Sequence, residues 1–192
     1  MESARYIIAS GPSGVRLRLA DHLANEFDER IAVQSYELWD DGNYRGSETD
    51  YRYAVKLAAT QATWENQSGL PVLFTHSLLD GLAYATLTTE RHLKFQNVSE
   101  YTRDKALLVL ALIGAMFRDS FKADQILFLN LFEEDDERYE IQERIRLILD
   151  EFQLPYTELT LGPDGYFDLF DHAKEIIGAD LDGARRATSE PS

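Results

Sequence analysis

Residues Arg5 to Ala24 read RYIIASGPSGVRLRLADHLA, and this stretch decides how the rest of the chain is interpreted. It opens with a short apolar run typical of a buried strand, continues through the turn sequence Gly-Pro-Ser-Gly, and ends in a segment with helical spacing. The apolar residues of that segment recur every four positions: Val15, Leu19, Leu23 and Phe27. They predict one apolar stripe along a helix from Val15 to Glu29.

A strand, a glycine-containing turn and a helix in this order form the frame of a phosphate-binding loop, or P-loop. The usual loop reads G-x-x-x-x-G-K-[ST]; its lysine reaches the outer phosphates and its hydroxyl holds magnesium. Gly11 takes the first glycine position, and Arg16, Leu17 and Arg18 take the last three. Because leucine carries no ammonium group and arginine cannot ligate a metal, the sequence predicts that magnesium-dependent phosphotransfer is lost or altered.

The turn after the first strand remains the strongest candidate site, since ligands in open parallel sheets bind beyond the carboxyl ends of strands. Gly11 and Gly14 would let backbone N–H groups face an anion, and Ser13 would add a hydroxyl donor. Arg16 and Arg18 would supply part of the charge of the missing lysine. The alternative is that Gly-Pro-Ser-Gly is only a turn between a strand and a helix.

Composition limits the partners. The 192 residues include 34 acidic and 19 basic side chains, which gives a formal net charge of −15. Such a charge repels duplex nucleic acid and anionic membranes, whereas a small anion in an arginine-lined pocket stays compatible with it. Hydrophobic residues at 44% fit a folded chain, and we expect one domain over residues 1–178 and a disordered tail over residues 179–192.

Several classes of site have no support in the sequence. The chain has no cysteine, and its histidines show no zinc-binding spacing: His22, His76, His92 and His172. The first residues do not read as a signal peptide, so we expect a cytoplasmic protein without a metal site. The longest apolar run, Ala106 to Phe117, is about 12 residues, short of the roughly 20 that span a bilayer, and predicts a core helix.

Strand-like and helix-like segments alternate along the chain. Strands are predicted at Tyr6–Ser10, Ile31–Ser35, Leu70–Thr75, Gln125–Asn130 and Tyr156–Leu161. Further helices are predicted at Glu48–Asn66, Ser77–Arg91, Ser99–Ser120, about Asp136–Phe152 and about Tyr166–Ile177. This alternation predicts an α/β fold in which helices cover both faces of a mainly parallel five-stranded sheet.

The segment PVLFTHSLLDGLAYATL, residues 71–87, resembles the third-strand region of the P-loop kinases related to the nicotinamide riboside kinase domain of NadR and to phage deoxynucleotide kinases. In that family an apolar strand ends in Asp-Arg and leads into a helix with a pattern like LLDxLAY. Asp80 and Tyr84 match the helix, whereas Thr75 and His76 replace Asp-Arg. The resemblance implies a three-layer P-loop NTPase-like fold, a catalytic or sugar-binding Asp80, and substrate contacts from Tyr84.

His76 itself has two interpretations, an anion-binding group when protonated and a satisfied polar residue at a strand end. Asp80 likewise has a structural alternative, a carboxylate at a helix start. The long polar loop from residue 36 to residue 53 would line the acceptor pocket in a kinase of this type. Its candidate substrate-binding residues are Glu37, Trp39, Tyr44 and Arg45.

Residues 136–159, DERYEIQERIRLILDEFQLPYTEL, resemble the lid of the same kinases, where arginines close over the phosphates. The resemblance makes Arg138 and Arg144 lid candidates, with Arg146 nearby. The alternative is an ordinary surface helix, in which Glu140 pairs with Arg144 and Gln142 pairs with Arg146 one turn apart.

Three functions are compatible with these patterns. The first is a nucleotide- or phosphate-binding protein derived from a P-loop kinase, with ATP or another nucleotide as ligand and magnesium in doubt. The second is an active phosphotransferase on a nucleoside, nucleotide or modified base, with Arg16 and Arg18 in place of the lysine. The third is a protein-interaction module that uses its acidic surface.

Overall fold

A five-stranded sheet forms the centre of the molecule. The computed structural model describes residues 4–28, 30–34, 70–94, 99–133 and 138–189. The strands are β1 (Arg5–Ala9), β2 (Ala32–Gln34), β3 (Val72–Phe74), β4 (Gln125–Leu129) and β5 (Thr157–Leu159). All neighbours are parallel and the order is β2-β3-β1-β4-β5, so the chain crosses over β3 between its first two strands.

Five described helices cover the two faces of this sheet. They are α1 (Ser13–Phe27), α2 (Leu78–Lys94), α3 (Glu100–Ser120), α4 (Tyr139–Glu151) and α5 (Tyr166–Ser189). One core joins Tyr6 and Ile8 of β1 to α1 and α5. The other joins Ile7 and Ala9 of the same strand to α2, α3 and α4. Because successive strand residues point to opposite faces, β1 contributes to both cores, and the molecule has three layers.

The predicted architecture is confirmed. All five strands lie within a residue or two of their predicted bounds, and their pairing is parallel throughout. The predicted helices after residue 70 are also found, whereas the helix predicted at Glu48–Asn66 lies outside the described residues.

The prediction that α3 is a core helix is only half right. Ile113 and Phe117 are buried against the second core, but Leu108 and Leu112 are 71% and 55% exposed. The apolar run is longer than one face of a helix, and α3 packs on one side only. Apolar content alone therefore overestimated how much of this helix is buried.

The last helix does not end at the predicted domain boundary, residue 178, because α5 continues to Ser189. Leu181 is buried in the first core and continues a stripe spaced by four: Leu169, Ala173, Ile177 and Leu181. The hydroxyl of Tyr6 donates a 2.7 Å hydrogen bond to Asp180, and Arg30 contacts Asp182 at 3.1 Å. These contacts hold a segment that the polar composition of residues 179–189 had assigned to the tail.

None of the described helices combines the length and the apolar character that crossing a membrane requires.

Candidate functional site

The turn between β1 and α1 is shorter than a P-loop. Only Ser10, Gly11 and Pro12 separate the strand from a helix that begins at Ser13. The carbonyl of Pro12 accepts hydrogen bonds from the N–H groups of Val15 and Arg16, at 2.9 and 3.0 Å. Residues that would wrap around a phosphate in the usual motif are therefore in the first turn of α1.

The two glycines of this turn have different reasons to be glycine. Gly11 has φ +74°, and a Cβ there would lie 2.9 Å from the Cβ of Leu129 on β4. Backbone geometry and the close approach to β4 therefore require this glycine. Gly14 is exposed beside Ser13, and a Cβ there would meet no atom within 4 Å. Only Gly14 leaves room for a ligand.

A buried ion pair lies directly below this helix start. Arg16 is 6% exposed, and its Nη1 donates to Oδ1 of Asp80 at 2.7 Å and to the carbonyl of Thr75 at 3.0 Å. The other oxygen of Asp80 accepts from the N–H of Ser77 at 2.9 Å. The structure thus brings together Arg16 and Asp80, two residues that the sequence placed in separate motifs.

The turn after β3 adds a neutral imidazole to the pair. The hydroxyl of Thr75 lies 3.2 Å from Nδ1 of His76 and 3.4 Å from the carbonyl of Gln34. Both contacts are satisfied together only if Nδ1 carries the proton and the hydroxyl donates to the carbonyl, which leaves Nε2 as an acceptor. Burial first, and then the charge of Arg16, lower the pKa of His76 to about 4. The imidazole is therefore neutral at physiological pH.

Among the described residues, four polar atoms at these strand ends are buried without a hydrogen-bond partner. They are Ser10 Oγ, Arg16 Nε, Gln34 Oε1 and His76 Nε2. Ser10 follows β1, Arg16 is in α1, Gln34 ends β2 and His76 follows β3. All four lie at the carboxyl edge where the strand order reverses, which is where open parallel sheets bind ligands. Unsatisfied buried groups are rare in folded proteins and are often found at functional sites.

The residues of this edge do not fit the magnesium ion of a P-loop kinase. Arg18 replaces the ligating hydroxyl, and Asp80, a carboxylate at the carboxyl edge, is already held by the cation of Arg16. Magnesium requires oxygen ligands in near-octahedral geometry. Within the described ranges no group of three or more His, Cys, Asp or Glu side chains is arranged for a metal.

The remaining candidates are dispersed. Arg18 is exposed; its Nε donates to the carbonyl of Gly14 at 3.2 Å, and its guanidinium lies 5.8 Å from the ring centre of Tyr166. Tyr84 is half-buried one turn beyond Asp80 on α2. The acceptor-pocket candidates Glu37, Trp39, Tyr44 and Arg45 lie outside the described residues.

The lid candidates contact other residues than Arg16 and Asp80. Arg144 contacts Glu90 of α2 at 2.6 Å, and Arg138 is exposed with its guanidinium 4.5 Å from the ring centre of Phe132. The predicted surface pairs one turn apart are wrong. Glu140 contacts Arg91 of α2, and Arg146 contacts Glu143.

Gln142 is a residue whose importance the sequence did not reveal. It is fully buried, and its Oε1 accepts from the N–H groups of Leu131 and Phe132, each at 3.0 Å. Its Nε2 donates to Asn130 at 2.8 Å and to the carbonyl of Phe132 at 3.2 Å. A signal was available: Gln142 is a polar residue on the apolar face formed with Ile145 and Leu149.

No protein-family profile matches this chain, and no curated protein matches its sequence. Solved structures do match. NadR protein in complex with nicotinamide riboside (NR) superimposes with a TM-score of 0.67 and 16% identity, over 92% of this chain and 51% of that one. NadR protein in complex with NAD and AMP-PNP superimposes with a TM-score of 0.64 and 17% sequence identity. Deoxyadenosine kinase from M. mycoides, with products dCMP and dCDP, superimposes with a TM-score of 0.60 and 6% sequence identity. The match covers 91% of this chain and 98% of the kinase chain.

These matches confirm the P-loop kinase resemblance at the level of the fold. The chain has the three-layer α/β architecture of the P-loop NTPases, and it spans about half the length of the NadR chains.

Proposed function

We propose that this protein binds a nucleotide at the carboxyl edge of its sheet and does not transfer phosphate by the magnesium-dependent route. The observation that carries the proposal is the buried Arg16–Asp80 pair, in which the residue at the second glycine position of the motif is tied to the carboxylate of α2. The matched structures bind NR, NAD and AMP-PNP, or deoxynucleotides, which supports this class of ligand.

The start of α1 supports the binding of a phosphate. No side chain caps this helix and no acidic residue lies in its first turn. The N–H groups of Ser13 and Gly14 precede the first helical hydrogen bonds, which begin at Val15, and both residues are exposed. The N-terminus of a helix is favourable for an anion, and the guanidinium of Arg16 lies within the next turn.

Asp80 acts in this proposal as a competitor for Arg16. Its two oxygens are engaged by Arg16 and by the N–H of Ser77, so it is not available to remove a proton from a substrate. A phosphate that reaches the guanidinium of Arg16 must either displace the carboxylate of Asp80 or share the guanidinium with it. Binding would therefore be weaker than in a site with an uncommitted cation.

Phosphotransfer is disfavoured on energetic grounds. Losing one preorganised electrostatic contact to a transition state costs about 2.7–4 kcal/mol. The motif lysine and the hydroxyl ligand are both replaced here. The alternative in which Arg16 and Arg18 replace the lysine together is not supported, because Arg16 is buried and Arg18 is exposed on another side of α1.

Calorimetric titration with ATP, deoxynucleoside triphosphates, nucleoside monophosphates and NR, each with and without magnesium, tests the proposal. We expect binding of at least one nucleotide with an affinity that magnesium leaves nearly unchanged. Silence across the whole panel would contradict nucleotide binding.

Asp80→Asn sharpens this experiment, because asparagine can keep the hydrogen bond to Arg16 without the competing charge. We expect nucleotide affinity to rise about tenfold, as one charge pair of moderate strength is removed. Arg18→Ala should change the affinity less than about twofold, since its side chain lies in solvent. Phosphate transfer from ATP that Asp80→Asn abolishes would overturn the proposal and establish the active kinase instead.

A further inference from the structure

Thr75 connects three residues whose buried polar atoms have no hydrogen-bond partner within the described ranges. Its N–H and its hydroxyl lie 3.1 and 3.4 Å from the carbonyl oxygen of Gln34, and the hydroxyl also lies 3.2 Å from Nδ1 of His76. Its own carbonyl accepts from Nη1 of Arg16 at 3.0 Å. Gln34, His76 and Arg16 are therefore neighbours at one strand end, and none is more than 8% exposed.

Ser10 is the fourth residue of this group. Because β1 is the parallel neighbour of β3, the chain leaves both strands at the same edge of the sheet. Ser10 has φ +63°, a left-handed conformation that is uncommon for a residue with a side chain, and it is 2% exposed. Its Oγ is buried without a partner in the described part of the chain. A strained backbone together with an unpaired hydroxyl is more typical of a functional site than of a structural turn.

The four unpaired atoms differ in the hydrogen bonds that they can form. Gln34 Oε1 can only accept, and so can His76 Nε2, because Nδ1 carries the proton of the neutral imidazole. Arg16 Nε can only donate, and Ser10 Oγ can do either. A ligand group that satisfies all four atoms must therefore supply two hydrogen-bond donors and at least one acceptor.

A phosphate does not meet this requirement. Its oxygens accept hydrogen bonds, and in the fully ionised form it has no donor, so it would leave Gln34 and His76 unpaired. A buried acceptor without a donor has lost its hydration and gained nothing in return. A single hydroxyl supplies only one donor. A primary amide supplies two donors and a carbonyl oxygen, and a vicinal diol supplies two donors and two oxygens.

We propose that the strand-end subsite, formed by Ser10, Arg16, Gln34 and His76, binds a neutral ligand group with two hydrogen-bond donors and an acceptor. A primary amide and a vicinal diol are the two sources of this chemistry. The subsite rests on the proposed function, since it is part of the same edge of the sheet. It adds that the buried part of the ligand is uncharged.

The distribution of charge at this edge supports the division. The charge of Arg16 is balanced by Asp80 at 2.7 Å, so the buried subsite offers little net attraction to an anion. Ser13 and Gly14 at the start of α1 are exposed, and their N–H groups precede the first helical hydrogen bonds. A charged part of the ligand is therefore bound in solvent at the helix start, and a neutral part is bound below it.

Nicotinamide riboside (NR) is the probe, because it carries a primary amide and a vicinal diol and has no phosphate. Nicotinic acid riboside replaces the amide with a carboxylate, and 2′,3′-dideoxy-NR lacks the diol. Calorimetric titration should show a loss of about tenfold for one of these two analogues, which identifies the bound group. Equal affinity of the three compounds would show that water suffices for these atoms and would overturn the proposal, as would the absence of binding by all three.

Two substitutions at His76 distinguish its ring nitrogens. The amide nitrogen of asparagine reaches the position of Nδ1 and keeps the contact with Thr75, whereas the longer glutamine places its amide at the position of Nε2. We expect His76→Asn to weaken NR binding about tenfold and His76→Gln to leave it within about threefold. The opposite order would contradict the acceptor role of Nε2.

Gln34→Met removes the other acceptor and keeps the length of the side chain. Because Oε1 has no partner among the described residues, we expect an unchanged or higher melting temperature together with NR binding that is about tenfold weaker. Gln125→Met is the matched control. Gln125 begins β4 at the opposite edge of the sheet, where it donates to Thr157 at 2.9 Å, and its loss should leave binding unchanged. Normal NR binding by Gln34→Met would overturn the proposal.

Nicotinamide mononucleotide, which differs from NR by one phosphate, separates this proposal from the proposed function. If the phosphate strengthens binding and Gly14→Ala removes the gain, while His76→Asn and Gln34→Met change neither affinity, the nucleotide site stands and the strand-end subsite is ruled out. If NR binding depends on His76 and Gln34 and the phosphate adds nothing, the subsite stands and the phosphate site at α1 is ruled out.

Discussion

Two buried polar clusters lie at the same edge of the sheet and differ in how well their groups are satisfied. The Arg16 cluster follows β1 and β3 and consists of Ser10, Arg16, Thr75, His76 and Asp80. It contains two opposite charges, and three of its polar atoms have no hydrogen-bond partner in the part of the chain that the structure describes. The Gln142 cluster follows β4 and consists of Gln142, the side chain of Asn130 and backbone groups of Leu131 and Phe132. These groups are uncharged, and the side-chain amide of Gln142 makes four hydrogen bonds to them.

The difference separates a structural role from a functional one. A buried network whose groups are all paired rigidifies a fold, and the Gln142 cluster holds the chain after β4 in this way. A buried ion pair is a costly way to obtain stability, since apolar residues of similar volume often do as well. The Arg16 cluster also keeps unpaired groups. We therefore expect changes in the Arg16 cluster to alter ligand binding as well as stability, and changes in the Gln142 cluster to alter stability alone.

The largest expected effect is that of Arg16→Ala. It leaves the carboxylate of Asp80 buried without its cation, and we expect a loss of about 3–5 kcal/mol in the free energy of unfolding, measured with denaturant. Arg91→Ala is the matched control: its pair with Glu140 is 62% exposed on both sides, and its removal should cost at most about 1 kcal/mol.

The double variant Arg16→Met with Asp80→Leu should regain most of the stability lost in Arg16→Ala, because apolar side chains replace both charges. It should also lose nucleotide binding. If the double variant is stable and still binds, the Arg16 cluster has no functional role, and the contrast with the Gln142 cluster disappears.

The next effect concerns pH. The pKa of His76 is about 4, whereas an imidazole in an unfolded chain titrates near 6.5. Between these values the unfolded chain binds a proton that the folded chain does not. His76 therefore contributes its full share to the free energy of unfolding above pH 6.5. This contribution, about 3 kcal/mol in total, is lost as the pH falls from 6.5 to 4.

His76→Gln should remove this dependence. Unfolding free energies measured from pH 7 to pH 4 should fall less steeply for this variant than for the unmodified protein. His172→Gln, at an exposed position, should follow the unmodified protein. Parallel curves for all three proteins would show that His76 is protonated or solvated in the folded state.

Gln142→Ala comes third. It removes the acceptor for two backbone N–H groups and the donor to Asn130, and we expect a loss of about 2–3 kcal/mol. The nucleotide affinity, measured under conditions in which the variant is fully folded, should not change. An affinity loss as large as that of the Arg16 variants would mean that the segment after β4 belongs to the binding site.

The sequence predicted the fold well because the fold depends on apolar spacing. The strands were predicted from short apolar runs, and the apolar stripe of α1 was predicted from apolar residues four positions apart. The LLDxLAY pattern indicated the kinase-like architecture. The site was only partly predictable. Arg16 and Asp80 were each singled out, but 64 residues separate them, and nothing local indicates that they pair.

Local rules failed where tertiary contacts decide. The pairs Glu140–Arg144 and Gln142–Arg146 satisfy the spacing of a surface helix, yet Glu140 and Arg144 each contact α2, and Gln142 points into the core. The polar composition after residue 178 suggested disorder, whereas a single apolar residue, Leu181, extends the buried stripe of α5. The same four-residue spacing that identified α1 would have predicted this extension.

The smallest effect is expected where the two clusters meet, at Gly11. A Cβ at this position would press on Leu129, which immediately precedes the segment that Gln142 holds, and the positive φ adds strain, so Gly11→Ala should cost about 1–2 kcal/mol. Gly14→Ala introduces no contact within 4 Å and should stabilise α1 by about 0.5 kcal/mol. Thermal melting of both variants shows whether each change stabilises or destabilises the fold. Titration with nucleotide separates the roles of the two glycines: a methyl group at Gly14 should weaken nucleotide binding at the start of α1, whereas Gly11→Ala should act mainly on stability. The opposite assignment, with binding lost only in Gly11→Ala, would place the ligand against β4 and move the functional site from the Arg16 cluster to the Gln142 cluster.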